Sequence, residues 1–205
     1  VNQRIRGKRY IIPILVLPNM FSVVVVSSMW KLMLDYETGL INHILKSLGF
    51  QPLPWLTSMD LALFSIVLID TWQWTPICFL IFYAGLQSIP TELYEAASID
   101  GAGRLRRFWS VTIPMLTPVI FFNLVTGLIG AFQIFENAYI ITSGGPNYAT
   151  YFFGLNIYFT AFRALRFGQA SAVAWVLFLL IVALTLIVFR TSNRWVFYTA
   201  EKETT

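Results

Sequence analysis

Residues Ala172–Phe189 read AVAWVLFLLIVALTLIVF and end against Arg190, without a charged side chain between. A helix over that run rises about 27 Å, close to the ~30 Å hydrocarbon thickness of a bilayer. It is apolar all round, so it has no water-facing stripe opposite a core-facing one. The whole chain shares this character. Of 205 residues, 57% are hydrophobic and 12% charged, and mean hydropathy is +0.68. Soluble domains carry about 25% charged residues, and half that share leaves too little polar surface to face water. The expected fold class is all-α, a polytopic transmembrane helical bundle forming one domain over 1–205.

Outward from that run, three more segments offer the roughly 20 mostly apolar residues that a span requires. The set is Tyr10–Leu34, Leu61–Leu86, Thr117–Ile141 and Ala170–Phe189. The first three carry prolines or polar residues, which lipid tolerates only where protein or a water-filled cavity receives them. They are expected in the bundle core or along a pathway. Tyr10–Leu34 is interrupted by Pro13, Pro18 and Asn19. Its basic start could imitate a signal peptide, but no small-residue cleavage site follows, so it reads as a span. The chain starts at Val1 rather than Met, and an N-terminal part is expected to be absent.

The basic residues sit in short clusters between apolar runs, which is the membrane pattern rather than a nucleic-acid-binding face. With four spans, Arg4, Arg6, Lys8, Arg9, Arg104, Arg106, Arg107, Arg190, Arg194 and Lys202 fall on one side. Lys46, Arg163 and Arg166 fall on the other, with Lys31 at its border. The excess predicts that both termini are cytoplasmic. The external segments are 35–60, with an amphipathic stretch at Leu40–Leu48, and the Tyr- and Phe-rich 143–169. Cys78 and His43 are each the single residue of their type. They exclude an internal disulfide and a zinc cluster, and no metal or cofactor site is expected on this chain.

Residues 88–118 read SIPTELYEAASIDGAGRLRRFWSVTIPMLTP. Pro90 suits the first turn of a helix, and Glu92 and Glu95 favour its positive N-terminal end. Asp100-Gly101 signals a turn. A second short helix at about Arg104–Val111 should end before Pro114. The result is a helix–turn–helix on the cytoplasmic face, with Leu93, Ala96 and Ala97 on or near one side. On physics alone an ordinary interfacial connector is slightly favoured.

Glu95-Ala96-Ala97, three residues, Gly101, nine residues and Val111-Thr112-Ile113-Pro114 closely resemble the EAA loop of binding-protein-dependent ABC importer permeases. Val111 and Ile113 replace the family's Ile and Leu, both conservative changes. Asp100-Gly101-Ala102, Phe108, Gly144-Gly145-Pro146 and Ala149-Thr150 resemble the sugar-uptake branch. So do Trp30, Gly39-Leu40-Ile41-Asn42 and Gly168-Gln169-Ala170-Ser171-Ala172. The resemblance implies a multi-pass protein of a bacterial or archaeal inner membrane that is not itself an enzyme. Loop 88–116 would dock on a separate ATP-hydrolysing subunit, with Glu95, Ala96, Ala97, Asp100 and Gly101 as coupling residues. This chain has no G-x-x-x-x-G-K-[ST] run, so ATP belongs to that partner. A second permease subunit and an extracytoplasmic solute-binding protein are the other implied partners. Sugar-branch permeases usually have six or more spans, so the first two are expected to be missing here.

An ionisable residue inside a span is a functional candidate by default. Asp70, Gln73, Trp74 and Ile77 fall at i, i+3, i+4 and i+7, one helical face. They offer an acceptor, an amide and an indole, which suit hydroxyl-rich ligands, and by resemblance this stretch lines the substrate cavity. The plainer reading pairs Asp70 with a neighbouring helix and leaves Trp74 to packing. Gln133 is expected to face the pathway. Glu136 and Asn137 lie nearer the external mouth, where solvation is their ordinary state. Asn19 is a further candidate, or else satisfies backbone freed by prolines. An ion-gradient-driven transporter using Asp70 is the alternative function, ranked below because it needs no EAA-like loop. The predicted cavity lacks Arg and Lys, which disfavours a phosphorylated cargo over a sugar or polyol.

Overall fold

In a computed structural model that describes residues 8–197, every regular element is helical. The order is α1 (Lys8–Val16), α2 (Val23–Met33), α3 (Leu40–Ser47), α4 (Met59–Gln87), α5 (Thr91–Ile99) and α6 (Arg104–Arg107). Then come α7 (Ile113–Phe132), α8 (Glu136–Ile141), α9 (Phe153–Tyr158) and α10 (Phe167–Ser192). Arg4, Arg6 and Lys202, used above to orient the chain, lie outside the described residues. Three stretches, Met59–Gln87, Arg104–Ile141 and Phe167–Ser192, are long and apolar enough to cross a membrane.

The first expected span is not one helix. A 3-10 turn at Leu17–Met20 and extended Phe21 (φ −91°, ψ 146°) separate α1 from α2. Ile12–Met20 and Val23–Met33 meet at a 97° bend, so they form a crossing only as a broken pair. Pro18 supplies the cause: it has no N–H to give the ladder, and its ring disfavours helix at Leu17. The third expected span also divides, since α7 ends at Phe132 and α8 starts at Glu136.

Pro114 overturns a second expectation, because the helix entering from Arg104 does not stop before it. A π turn over Phe108–Thr112 intervenes, with the Ile113 N–H bonded to the Phe108 carbonyl, and α7 then runs through Pro114 and Pro118. A π turn widens the ladder and makes room for a proline ring that would clash in a regular helix. Pro118 leaves the Pro114 carbonyl without its usual donor. The Thr117 hydroxyl donates to that carbonyl at 2.7 Å and accepts the Phe197 N–H at 2.9 Å.

Backbone packing groups the described residues into two units, 8–76 with 130–180 and 77–129 with 181–197. In the first, α2 lies against α8, and two small cores form. Leu34, Ile69 and Ile141 are covered by Trp30, Ile41, Trp55 and Leu56. Ile66, Ala138 and Leu155 are covered by aromatic residues that include Phe135, Tyr139 and Tyr151. Asn42 is fully buried and holds the 35–58 connection together. Its amide donates to the Tyr36 and Leu53 carbonyls at 3.1 and 2.9 Å and accepts from the Leu53 N–H and the Trp55 indole at 3.0 Å each. After α8, buried Thr150 bonds the Gly145 carbonyl at 2.7 Å and meets the Thr142 hydroxyl at 2.6 Å. That closes the Gly144-Gly145-Pro146 turn.

In the second unit Gly85 brings α4 close to α7, where a Cβ would stand 2.6 Å from Val119 Cγ2. Lipid gives apolar helices no hydrophobic reason to associate, so such close backbone approach is what makes packing favourable. Phe121 adds edge-on contacts to Phe189 at 4.9 Å and to Trp195 at 6.1 Å.

Candidate functional site

Two groups of predicted residues are placed by this fold, one in each unit. The first is the loop after α4. Ile89 is buried and Pro90 takes the cap position before α5, one residue ahead of the expected first turn. Glu92, Leu93, Glu95 and Ala96 are exposed along α5, and Ala97 is half-buried. The helix closes by two bonds: the Ala102 N–H reaches the Ala97 carbonyl at 2.9 Å, and the Gly101 N–H reaches that of Ser98 at 3.1 Å. That pairing needs a left-handed residue after the cap, and Gly101 fills it with φ +76°. Asp100 is the cap itself. Ile99, which ends α5, and Leu105, past the turn, are 87% and 74% exposed, apolar side chains that the described residues leave uncovered.

Sequence reading missed what holds α5 down. Tyr94 points inward, its hydroxyl 3.1 Å from that of Thr112, which is buried in the π turn. The available signal was spacing, since Tyr94 falls on the side opposite Glu92, Glu95 and Ala96.

The second group lies in the unit of α2, α4 and α8. The Ser27 hydroxyl donates to Asn137 Oδ1 at 2.6 Å, and Asn137 Nδ2 donates to Asp70 Oδ1 at 3.0 Å. Ser27 and Asn137 are buried and Asp70 is half-buried. Asn137 is therefore not the solvated residue expected near the mouth; it is the donor that an acid inside a span requires. Asn19 Nδ2 reaches the Gln73 carbonyl at 3.4 Å, in the turn before Pro76. Pro76 withholds its N–H from the Trp72 carbonyl, one residue before Gln73, so Asn19 bonds backbone in the turn that the proline weakens.

The expected common face of α4 is divided. Gln73 is buried with its side-chain oxygen unpartnered, whereas Trp74 is 52% exposed and reaches toward the Asp70 carboxylate from one turn on. Gln133 is exposed in the turn that ends α7 and does not join the cluster. Asp70, Gln73 and Asn19 are thus brought into one polar region, with Ser27 and Asn137 added. An unpaired amide oxygen beside an acid and further amides can take hydroxyl donors.

The backbone resembles a bacterial alginate ABC transporter solved in complex with alginate pentasaccharide-bound periplasmic protein. That match has a TM-score of 0.84 at 23% identity, covering 94% of this chain and 68% of that one, and it bears on the fold alone. Curated relatives include "Probable ABC transporter permease protein YesP" of Bacillus subtilis, 42% identical over 88% of this chain and 59% of that protein. The trehalose/maltose transport system permease protein MalF of Thermococcus litoralis is 37% identical over 91% and 63%. The sn-glycerol-3-phosphate transport system permease protein UgpA of Yersinia pestis is 39% identical over 97% and 67%. The chain spans about three fifths of the length of the first of these relatives. Residues 2–197 match the family described as binding-protein-dependent transport system inner membrane component, and the chain belongs to that family.

Proposed function

We propose that this chain forms part of the translocation pathway of an ATP-driven importer for a sugar or related polyol. Loop 88–116 transmits the motion of a separate ATPase subunit, which carries the ATP. A second permease subunit completes the pathway, and an extracytoplasmic solute-binding protein delivers the cargo. Both ends of the chain face the cytoplasm.

The observation that carries this reading is the loop itself. Two short helical arms are locked at Gly101, anchored by Tyr94 on one side, and present Glu95, Ala96, Ile99 and Leu105 outward. A rigid arm leading straight into a membrane helix can pass a push along its axis, and small residues such as Ala96 let a partner's surface come close. A transporter driven by ions through Asp70 has no use for such an arm. The names of the relatives support the cargo class, and the acceptors and amides around Asp70 suit hydroxyl groups better than a phosphate. In this reading Asp70, Gln73 and Asn19 line the path, with Ser27 and Asn137 fixing the acid in place. Trp74 and Gln133 contribute from exposed positions.

Copurification tests the coupling role. The assembled wild-type transporter should retain its ATPase subunit stoichiometrically and lose uptake in vanadate, while Glu95→Lys should insert normally and lose both. Uptake by Glu95→Lys at the wild-type rate would refute the role of the loop. For the path, Asp70→Ala with Gln133→Ala should raise KM for the cargo, and an unchanged KM and rate would remove these residues from it.

A further inference from the structure

Helix α3 has more apolar surface than the protein covers. Around its axis Ile41, Asn42 and Leu45 turn inward, whereas Lys46, His43 and Ser47 form a polar arc. Between these arcs Leu40, Ile44 and Leu48 form a continuous strip, 53%, 48% and 66% exposed, which Phe50 (64%) extends beyond the helix end. The strip is not a flexible fringe. Asn42 ties α3 to both flanking loops with four hydrogen bonds, and the Phe50 N–H closes the helix onto the Leu45 carbonyl at 2.9 Å.

The depth of α3 identifies what covers the strip. Ile41 packs on the core of Leu34, Ile69 and Ile141. Ile69 stands about 15 Å along α4 from Met59. With a hydrocarbon thickness of ~30 Å, the level of Ile69 falls at the outer part of the apolar slab rather than in water beyond it. At the same end of α4, Leu63, Phe64, Val67 and Leu68 are also exposed and apolar, as on a helix side turned to lipid.

We propose that α3 is an interfacial helix whose Leu40, Ile44, Leu48 and Phe50 edge is seated among phospholipid acyl chains, with Lys46 and His43 at the headgroups. The seat fixes the height of the 35–58 connection relative to the bilayer. This rests on the membrane-spanning character of the chain and not on its cargo or its partners.

Single cysteines test it in a Cys78→Ser background of the full-length permease, assembled with its partners in phosphatidylethanolamine–phosphatidylglycerol vesicles. An NBD label at Ile44→Cys should emit to the blue and be quenched several-fold more by lipids with a nitroxide high on the acyl chain than by aqueous iodide. At Lys46→Cys the order should reverse. Stronger quenching by iodide at both positions would place α3 in water and overturn the proposal. Protection of position 44 from both quenchers would overturn it as well, since another protein chain would then cover the strip. Neither readout depends on transport.

Discussion

Gly49 and Gly101 occupy the same position in two short helices. Each follows the cap of its helix in the left-handed region, φ +84° and +76°, and each is flanked by the same pair of backbone bonds back into the last turn. The connections around them are nevertheless used in opposite ways. Around Gly49, Asn42 collects four hydrogen bonds from its own loop, so 35–58 is a closed piece. Around Gly101 the described residues give α5 one side-chain tether, Tyr94 to Thr112, and apart from half-buried Ala97 the rest of α5 faces outward. One local device thus serves a segment that satisfies itself and a segment whose outer side the described residues leave uncovered. Backbone geometry alone does not distinguish them; the polar satisfaction around it does.

The sharpest way to break that contrast is to strain both turns equally. No atom lies within 4 Å of a Cβ built on either glycine, so Gly49→Asp and Gly101→Asp each pay only for the left-handed backbone, about 1 kcal/mol. Gly101→Asp should abolish uptake with insertion intact, whereas Gly49→Asp should transport nearly normally; equal losses in a paired uptake assay would erase the distinction. Next in size, Asn42→Ala strands buried partners in the 35–58 connection and should cost about 2–3 kcal/mol, read as a lower unfolding temperature of the purified assembly. Tyr94→Phe removes one bond and should cost about 1 kcal/mol. Faster amide exchange in α5 with partial uptake would support its role as tether, and unchanged exchange would exclude it.

The smallest effect concerns Asp35 at the start of the 35–58 connection. The Thr38 N–H and hydroxyl, with the Glu37 N–H, hold its carboxyl below the ordinary 3.8. A depressed folded value means that the contribution is present above the ordinary value and is lost as pH falls through the lower one. Cleavage of 35–39 by pepsin should therefore rise below pH 3.8 in the wild type and be already high in Asp35→Ala at every acidic pH. A flat wild-type profile would show that this turn does not depend on the carboxylate.

Much of this was legible in the sequence because the controlling physics is local or compositional. The helices over Met59–Gln87 and Phe167–Ser192 follow from runs of apolar residues, and the turn at Asp100-Gly101 follows from the residue type that most readily accepts its backbone angles. Prolines were harder. Pro18 broke its helix and Pro114 did not, although the same rule applies to both residues. The difference lies in what surrounds each ring: a π turn makes room before Pro114, and extended Phe21 leaves the chain free to bend after Pro18. Neither is written at the proline itself.

Hydrophobic patterning by itself determined that the chain crosses a membrane, since a bilayer selects for length and apolarity of single segments. The spaced Glu95–Pro114 motif determined the family, because its residues act at a fixed local separation. Only the tertiary structure decided which polar residues meet. It placed Asn137 between Ser27 and Asp70 and left Gln133 outside, and it made Tyr94 the anchor of an otherwise exposed arm. Pairing inside a low-dielectric medium depends on which helices lie side by side, a relation between segments more than sixty residues apart that no single segment encodes.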